Sequence, residues 1–406
     1  MVADIRTDST TAPVPKLRSA AGFVLFFLYG TLFAALGALL PALRDDFGLG
    51  PTAGGGLVSV FQLGALAAMV YCGVFARRVD GRVTMSILVL VASGAATALA
   101  LAPSWPAALA AAAFGGLGFG GLMLYLNTAF AAGFGRRGAL VLNLFNATFM
   151  VGSIVGPLAV GATARHERHV LLAVAVLALL GWPARRLAGP AAVSAPGGRA
   201  TAYEPARSSL PVLAVFMVAG LLYGAAEIGV GTWATTHLVA VGFSAPLAAS
   251  LTALFWAGHA LGRVSLPNLA PRRAPARLVV TCTVLAAGAL ALASVPGVAP
   301  YAYAVAGILL GPVFPTLLAW LATVTPATQS SRAMMLTALM IGGAGAPVLV
   351  GAAIGGSSAG AVPLALSLLT VAGAVAAIVA ARVATVHGRL SAALAADPLL
   401  ATRTTV

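Results

Sequence analysis

The sequence predicts an all-α membrane protein of twelve transmembrane helices, built as two six-helix bundles related by a pseudo-twofold axis. Three observations lead there. Hydrophobic residues make up 60% of the 406 residues, charged residues 8%, and the mean hydropathy is +1.01. A soluble domain carries about 25% charged residues, so this chain cannot cover a water-facing surface. Apolar segments long enough to cross a bilayer core of about 30 Å recur along the chain, six before a polar break and six after it. Short patterns in the first six spans return, in order, in the second six.

The elements follow from apolar runs and their polar punctuation. A polar N-terminal tail, 1–19, precedes the first bundle, 20–188, and no cleavage site follows its first apolar core, so that segment is expected to remain a span. The spans are placed at 20–43, 52–75, 83–102, 106–133, 139–163 and 169–188. A linker follows at 189–210, holding Pro190, Pro196, Gly197, Gly198 and Pro205. The second bundle, 211–385, has spans at 211–239, 246–266, 276–295, 299–324, 333–355 and 361–383, and a tail at 386–406 ends the chain.

Charge sets the orientation. The net charge is +14, but the basic residues sit in short clusters between apolar runs instead of along one aromatic-studded face, which excludes nucleic acid as partner. Twenty of the 23 Lys and Arg fall on the side of the N-terminus, against Arg44, Arg165 and Arg168 on the other. By the positive-inside rule both termini are expected in the cytoplasm, with the protein multi-pass in the cell's inner membrane. The two cysteines, Cys72 and Cys282, lie in apolar stretches and read as buried thiols with no disulfide or zinc role.

Leu28-Tyr29-Gly30 recurs as Leu222-Tyr223-Gly224, and Phe61-Gln62-Leu63-Gly64 as Phe255-Trp256-Ala257-Gly258, both 194 residues later. Gly152-x3-Gly156-Pro157-x3-Gly161 returns 190 residues on as Gly342-x3-Ala346-Pro347-x3-Gly351. Three other motifs mislead. Gly116-x-Gly118-x-x-Gly121 fits a dinucleotide fingerprint but lies inside an apolar span, where small residues serve close helix approach. Gly356-x-Ser358-x-Gly360 has no strand before it, and Asn146-Ala147-Thr148 is within a span.

Glu227 is the one acid of nine that falls mid-span, and an intramembrane carboxylate marks a cavity, a pathway or a proton site; protonated and packed against a neighbouring helix it would be structural. Tyr223 lies one turn before it on the same face. His259 either partners Glu227 or contacts solute, or is a neutral imidazole satisfied by a carbonyl. Arg263, near the end of its span, reads as part of a surface charge cluster ahead of a solute ligand. Tyr125, Asn127 and Asn146 suit hydroxyl- or amide-bearing solutes, the amides serving otherwise as glue between helices. Trp233 and Phe314 could stack on a flat solute or anchor the interface.

With these residues in place, the chain resembles the major facilitator superfamily across its twelve spans, and more narrowly the fucose–proton symporter family of sugar permeases. Gly118-x-Gly120 with Asn127 is similar to that family's span 4, the Tyr223-Gly-x-x-Glu227 element to its span 7, and Phe314-Pro315-Thr316 to its span 10. Where the symporters have acids in spans 1 and 4, this chain has Gly37 and Met123, so their proton arrangement cannot be reused. The segment Gly73 to Arg82 resembles the superfamily's gating loop, with Arg77 in place of the expected Asp and Arg78, Asp80, Gly81 and Arg82 following; Gly262 and Arg263 are assigned to the same gating side. The resemblance implies secondary active transport of a small organic, sugar-like solute by alternating access, coupled to protons through Glu227, in a monomer that needs no cofactor and is not an enzyme. Export of a drug or secondary metabolite, or a transport-inactive sensor or scaffold, are the alternatives.

Overall fold

A computed structural model describes residues 16–50, 53–75, 79–132, 134, 138–187, 210–269, 274–325, 329–355 and 358–396. The expected linker and the basic residues Arg77, Arg78, Arg136, Arg137, Arg272 and Arg273 lie outside the described residues. The described residues form helices and turns, with no strand among them.

The first half holds α1 (Lys16–Asp46), α2 (Gly55–Phe75), α3 (Gly81–Ala100), α4 (Trp105–Ala132), α5 (Gly138–Ala162) and α6 (His169–Leu179), the last followed by a 3-10 segment, Trp182–Leu187. The second half holds α7 (Leu210–Ala240), α8 (Ala245–Leu269), α9 (Pro275–Leu292), α10 in two pieces (Ala299–Leu310 and Val313–Val324), α11 (Gln329–Ile354) and α12 (Val362–Ala396). Among the described residues, ten stretches are long and apolar enough to cross a membrane. The other two expected spans are present but atypical. The sixth breaks after Leu179 because Pro183 has no N–H and its ring collides with the carbonyl four residues back. The eighth, α8, is a full-length helix diluted by His259, Arg263, Pro267 and Asn268. The tenth divides at Gly311-Pro312 for the same reason as the sixth.

The two halves pack alike. In the first, α1 lies along α5 and α2 along α4; in the second, α7 lies along α11 and α8 along α10. Glycines set these contacts. A side chain on Gly30 would strike the backbone of Phe149, and one on Gly224 that of Leu339; Gly152 meets Phe27, and Gly342 meets Leu221. Gly64 and Gly116 cross α4 and α2 at Ala113 and Phe61, as Gly258 and Gly307 cross α10 and α8 at Ala304 and Phe255. Small residues let backbones touch where lipid offers no hydrophobic drive for association. The sequence repeats are therefore the helix crossings themselves. Gly116, Gly118, Gly120 and Gly121 press on α2 and α3, which is what the false dinucleotide motif is for.

One hydrophobic cluster fills the first half, around Phe26, Phe61 and Phe145, and a second fills the other, around Phe216, Trp233 and Tyr303. The halves meet through α1 with α7, α2 with α11, and α5 with α8. The glycine-mediated backbone crossings between them lie toward one end of the molecule: Gly37 on Gly231, Gly55 on Pro347, and Gly161 on Pro246. That end is opposite the basic face, where α1 begins.

Candidate functional site

Closure at one end leaves a cavity of about 440 Å3 between the halves, extending toward the basic face. Its wall follows the internal symmetry. Phe33 of α1 and Glu227 of α7 are equivalent positions, as are Gln62 and Trp256, and Met69 and Arg263, all 194 residues apart. Met123 of α4 answers to Phe314 of α10, while Asn146, Phe149 and Met150 of α5 answer to Leu336, Leu339 and Met340 of α11. The same faces of equivalent helices thus line the cavity, but the residues on them differ. Both charged groups, Glu227 and Arg263, come from the second half.

Glu227 sits at the wall with 14% of its side chain exposed, and its Oε1 lies 3.2 Å from Nε2 of His259. The hydroxyl of Tyr223 lies 3.0 Å from the same nitrogen. His259 is fully buried, and its Nδ1 has no hydrogen-bond partner among the described residues. Tyr223 is itself buried, with its ring stacked on Phe314 at 5.7 Å. Acid, imidazole and phenol therefore form one unit, exposed at Glu227 and closed behind it.

Arg263 is within electrostatic reach of Glu227 and Tyr223. Its Nε donates to the carbonyl of Gly311 at 3.3 Å, and Nη1 lies 3.9 Å from Sδ of Met150 on the facing half. Across the cavity, Asn146 Nδ2 donates to Leu142 O at 2.8 Å and more weakly to Asn127 Oδ1 at 3.4 Å, while Asn127 Nδ2 donates to Met123 O at 2.8 Å. Each amide carbonyl still has acceptor capacity toward the cavity.

The structure brings Glu227, Asn127, Asn146, Phe314 and Arg263 to one cavity, with Tyr223 and His259 directly behind. It redirects the others. Tyr125 is buried against α3, near Thr84, and does not line the cavity. Trp233 is fully buried at the closed end, where its Nε1 donates to Pro347 O at 3.1 Å and its ring meets Gly55. Gly262 and Arg263 are inside α8, not in a gating loop: Gly262 lies on the backbone of Ile308, and that crossing with α10 turns Arg263 into the cavity. Asp80 caps α3, its side chain accepting from the N–H of Arg82 at 2.8 Å, and Gly81 begins that helix. Arg77 and Arg78 lie outside the described residues.

Residues not singled out from the sequence also line the cavity, among them Phe33, Met69, Phe119 and Trp256. Pairing each span-7 or span-8 candidate with its equivalent 194 residues earlier would have found Phe33 from Glu227 and Met69 from Arg263. A further buried pair, His237 with Tyr303 at 3.1 Å, lies near the closed end.

The family model described as the Major Facilitator Superfamily matches residues 22–350. The cyanate transport protein CynX of Escherichia coli (strain K12) is 25% identical over 327 residues, 77% of this chain and 82% of that protein. In fold, the chain is similar to the nucleoside transporter NupG, with a TM-score of 0.73 and 14% identity over 90% of this chain and 99% of that one. It is similar also to the D-xylose-proton symporter, with a TM-score of 0.70 and 14% identity over 89% and 96%.

Proposed function

The chain belongs to the Major Facilitator Superfamily, and on that footing we propose that it is a proton-coupled secondary transporter of a small organic solute, with Glu227 carrying the proton. It is a multi-pass membrane transporter and not an enzyme. The observation that carries the coupling is the contact of Glu227 with His259 and Tyr223 at the wall of a cavity shared by both halves. A carboxylate at that depth has a donor behind it and the cavity in front, so it can exchange a proton as access alternates from one face to the other.

The narrower likeness to fucose–proton symporters rests on motifs alone. Their two acids are Gly37 and Met123 here, and a sugar's hydroxyls would meet only five polar side chains among eighteen. A sugar is therefore the less supported solute. Orientation with both termini in the cytoplasm rests on the distribution of basic residues.

Proteoliposome flux tests the coupling. With a pH difference as the sole driving force, the wild type should concentrate its solute and Glu227→Gln should not. Counterflow, which moves no net proton, should survive in Glu227→Gln because the amide keeps the size and hydrogen-bonding capacity of the acid. Accumulation retained by Glu227→Gln would assign coupling to another group.

A further inference from the structure

Resting on the reading of this cavity as the solute site, we propose that the solute is an organic monoanion, an apolar or aromatic body bearing one carboxylate, and that Arg263 binds the carboxylate. Among the described residues no carboxylate lies within ion-pairing distance of Arg263: Glu227, the acid nearest it, contacts the imidazole of His259, and Asp46 pairs with Arg168 near the far face. Nε is occupied by Gly311 O, and Nη1 lies 3.9 Å from the thioether sulfur of Met150. A guanidinium keeps its charge at all working pH and holds its strongest partners, carboxylates, through two parallel N–H donors. One facing a largely apolar cavity, with Glu227 and the Tyr223 hydroxyl within reach but no carboxylate in direct contact, is incompletely compensated, and an incoming carboxylate completes the pairing.

The rest of the wall limits the anion. Thirteen of the eighteen lining side chains are apolar. Phe33 stands among Phe119, Phe149 and Trp256, with ring centroids 5.6 to 5.8 Å away, which forms an aromatic floor. Trp256 and Arg263 are two turns apart on α8, about 10 Å along its axis, so one flat molecule can rest on the floor and reach the guanidinium. Asn146 is one turn from Met150, the residue touching Arg263, and the Nδ2 hydrogen it gives to Asn127 Oδ1 across 3.4 Å can turn to the second carboxylate oxygen. A second negative charge would find no further cation in the wall and would face Glu227. Single charge and an apolar body follow.

The test is binding to the purified full-length chain, read by tryptophan fluorescence, with benzoate, phenylacetate and indole-3-acetate, the amide of each, and cyanate. At least one carboxylate should bind saturably and more tightly than its amide by about tenfold or more. Cyanate, a small anion without the apolar body, should compete poorly. Arg263→Gln should abolish the preference for acid over amide, and Arg263→Lys should keep part of it. Equal binding of acid and amide, cyanate competing as well as the aromatic acids, or no saturable binding of any acid at millimolar concentration would overturn the proposal. If the Arg263 variants fail to fold, the wild-type acid–amide comparison decides alone. None of these readouts involves a pH gradient, so a failure of proton coupling at Glu227 leaves them standing, and the reverse holds too.

Discussion

His259 turns one ring nitrogen toward two oxygens and the other toward none. An ionised Glu227 can only accept, so Nε2 then carries the hydrogen and Nδ1 is a bare lone pair. A protonated Glu227 can instead donate to Nε2, and the imidazole's hydrogen must then sit on Nδ1. The state of the acid and the tautomer of the base are thus tied together. His259→Leu should leave the carboxylate without its donor and lower the apparent melting temperature in detergent, by the equivalent of about 1–3 kcal/mol. Glu227→Gln added to His259→Leu should recover part of that loss, because the stranded charge is gone. Simply additive losses would mean that the two side chains do not act as a unit. Glu227 was legible in the sequence because it is the lone acid at depth. Arg263 was assigned to the gating side because it lies near its span's end, and the structure sets it in the cavity wall. The faces of Tyr125 and Trp233 could not be read at all: in a helix apolar all round, no stripe separates the cavity side from the packed side.

At the scale of helices, what the sequence shows as repeats is a set of backbone crossings. Gly30 and Gly224 are equivalent, and each lies against a carbonyl of the partnering helix, Phe149 or Leu339. Backbone cannot give way as a side-chain end can, so Gly30→Ala and Gly224→Ala should push α5 from α1 and α11 from α7, costing about 1–3 kcal/mol each. Gly94 and Gly288 supply the control. They too are equivalent, in α3 and α9, but a methyl group on either meets nothing within 4 Å. There alanine should be neutral or stabilise by up to about 1 kcal/mol through helix propensity. Thermal unfolding of the four single variants checks both halves of the claim; equal losses at all four positions would refute it. The twelve elements were legible from length and hydropathy; the breaks in α6 and α10 were not anticipated, because spans placed on those grounds, at 169–188 and 299–324, run through Pro183 and Pro312. Which glycines cross and which face lipid was not, because a glycine in an apolar run carries no mark of its neighbour.

The whole molecule is two similar bundles with dissimilar cavity walls. Glu227 stands where the first half has Phe33, and Arg263 where it has Met69, so coupling and anion binding are concentrated in the second bundle. The first contributes the amide pair and three of the floor's four rings, Phe33, Phe119 and Phe149, against which the second must move if access is to alternate. The bundles are held shut away from the basic face by three backbone crossings, of which Gly37 on Gly231 is the central one, between α1 and α7. These two glycines are themselves equivalent, 194 residues apart. A branched side chain at that point has no room while the far end is closed, and ample room once α1 and α7 separate there. Gly37→Leu should therefore disfavour the closed far end and shift the population toward a state open to that face; a clash of a few kcal/mol is enough to reverse a two-state balance. Met123→Cys, which places a thiol in the cavity wall, reports the shift. Cys72 and Cys282 are buried and give a low background. In sealed vesicles, a membrane-impermeant maleimide should label Met123→Cys from the basic face alone, and Gly37→Leu/Met123→Cys from the opposite face as well. If the double variant folds and its labelling is unchanged, the Gly37 crossing is not what holds that end closed. If Met123→Cys alone is labelled from the far face as fast as from the basic one, the crossings seal nothing.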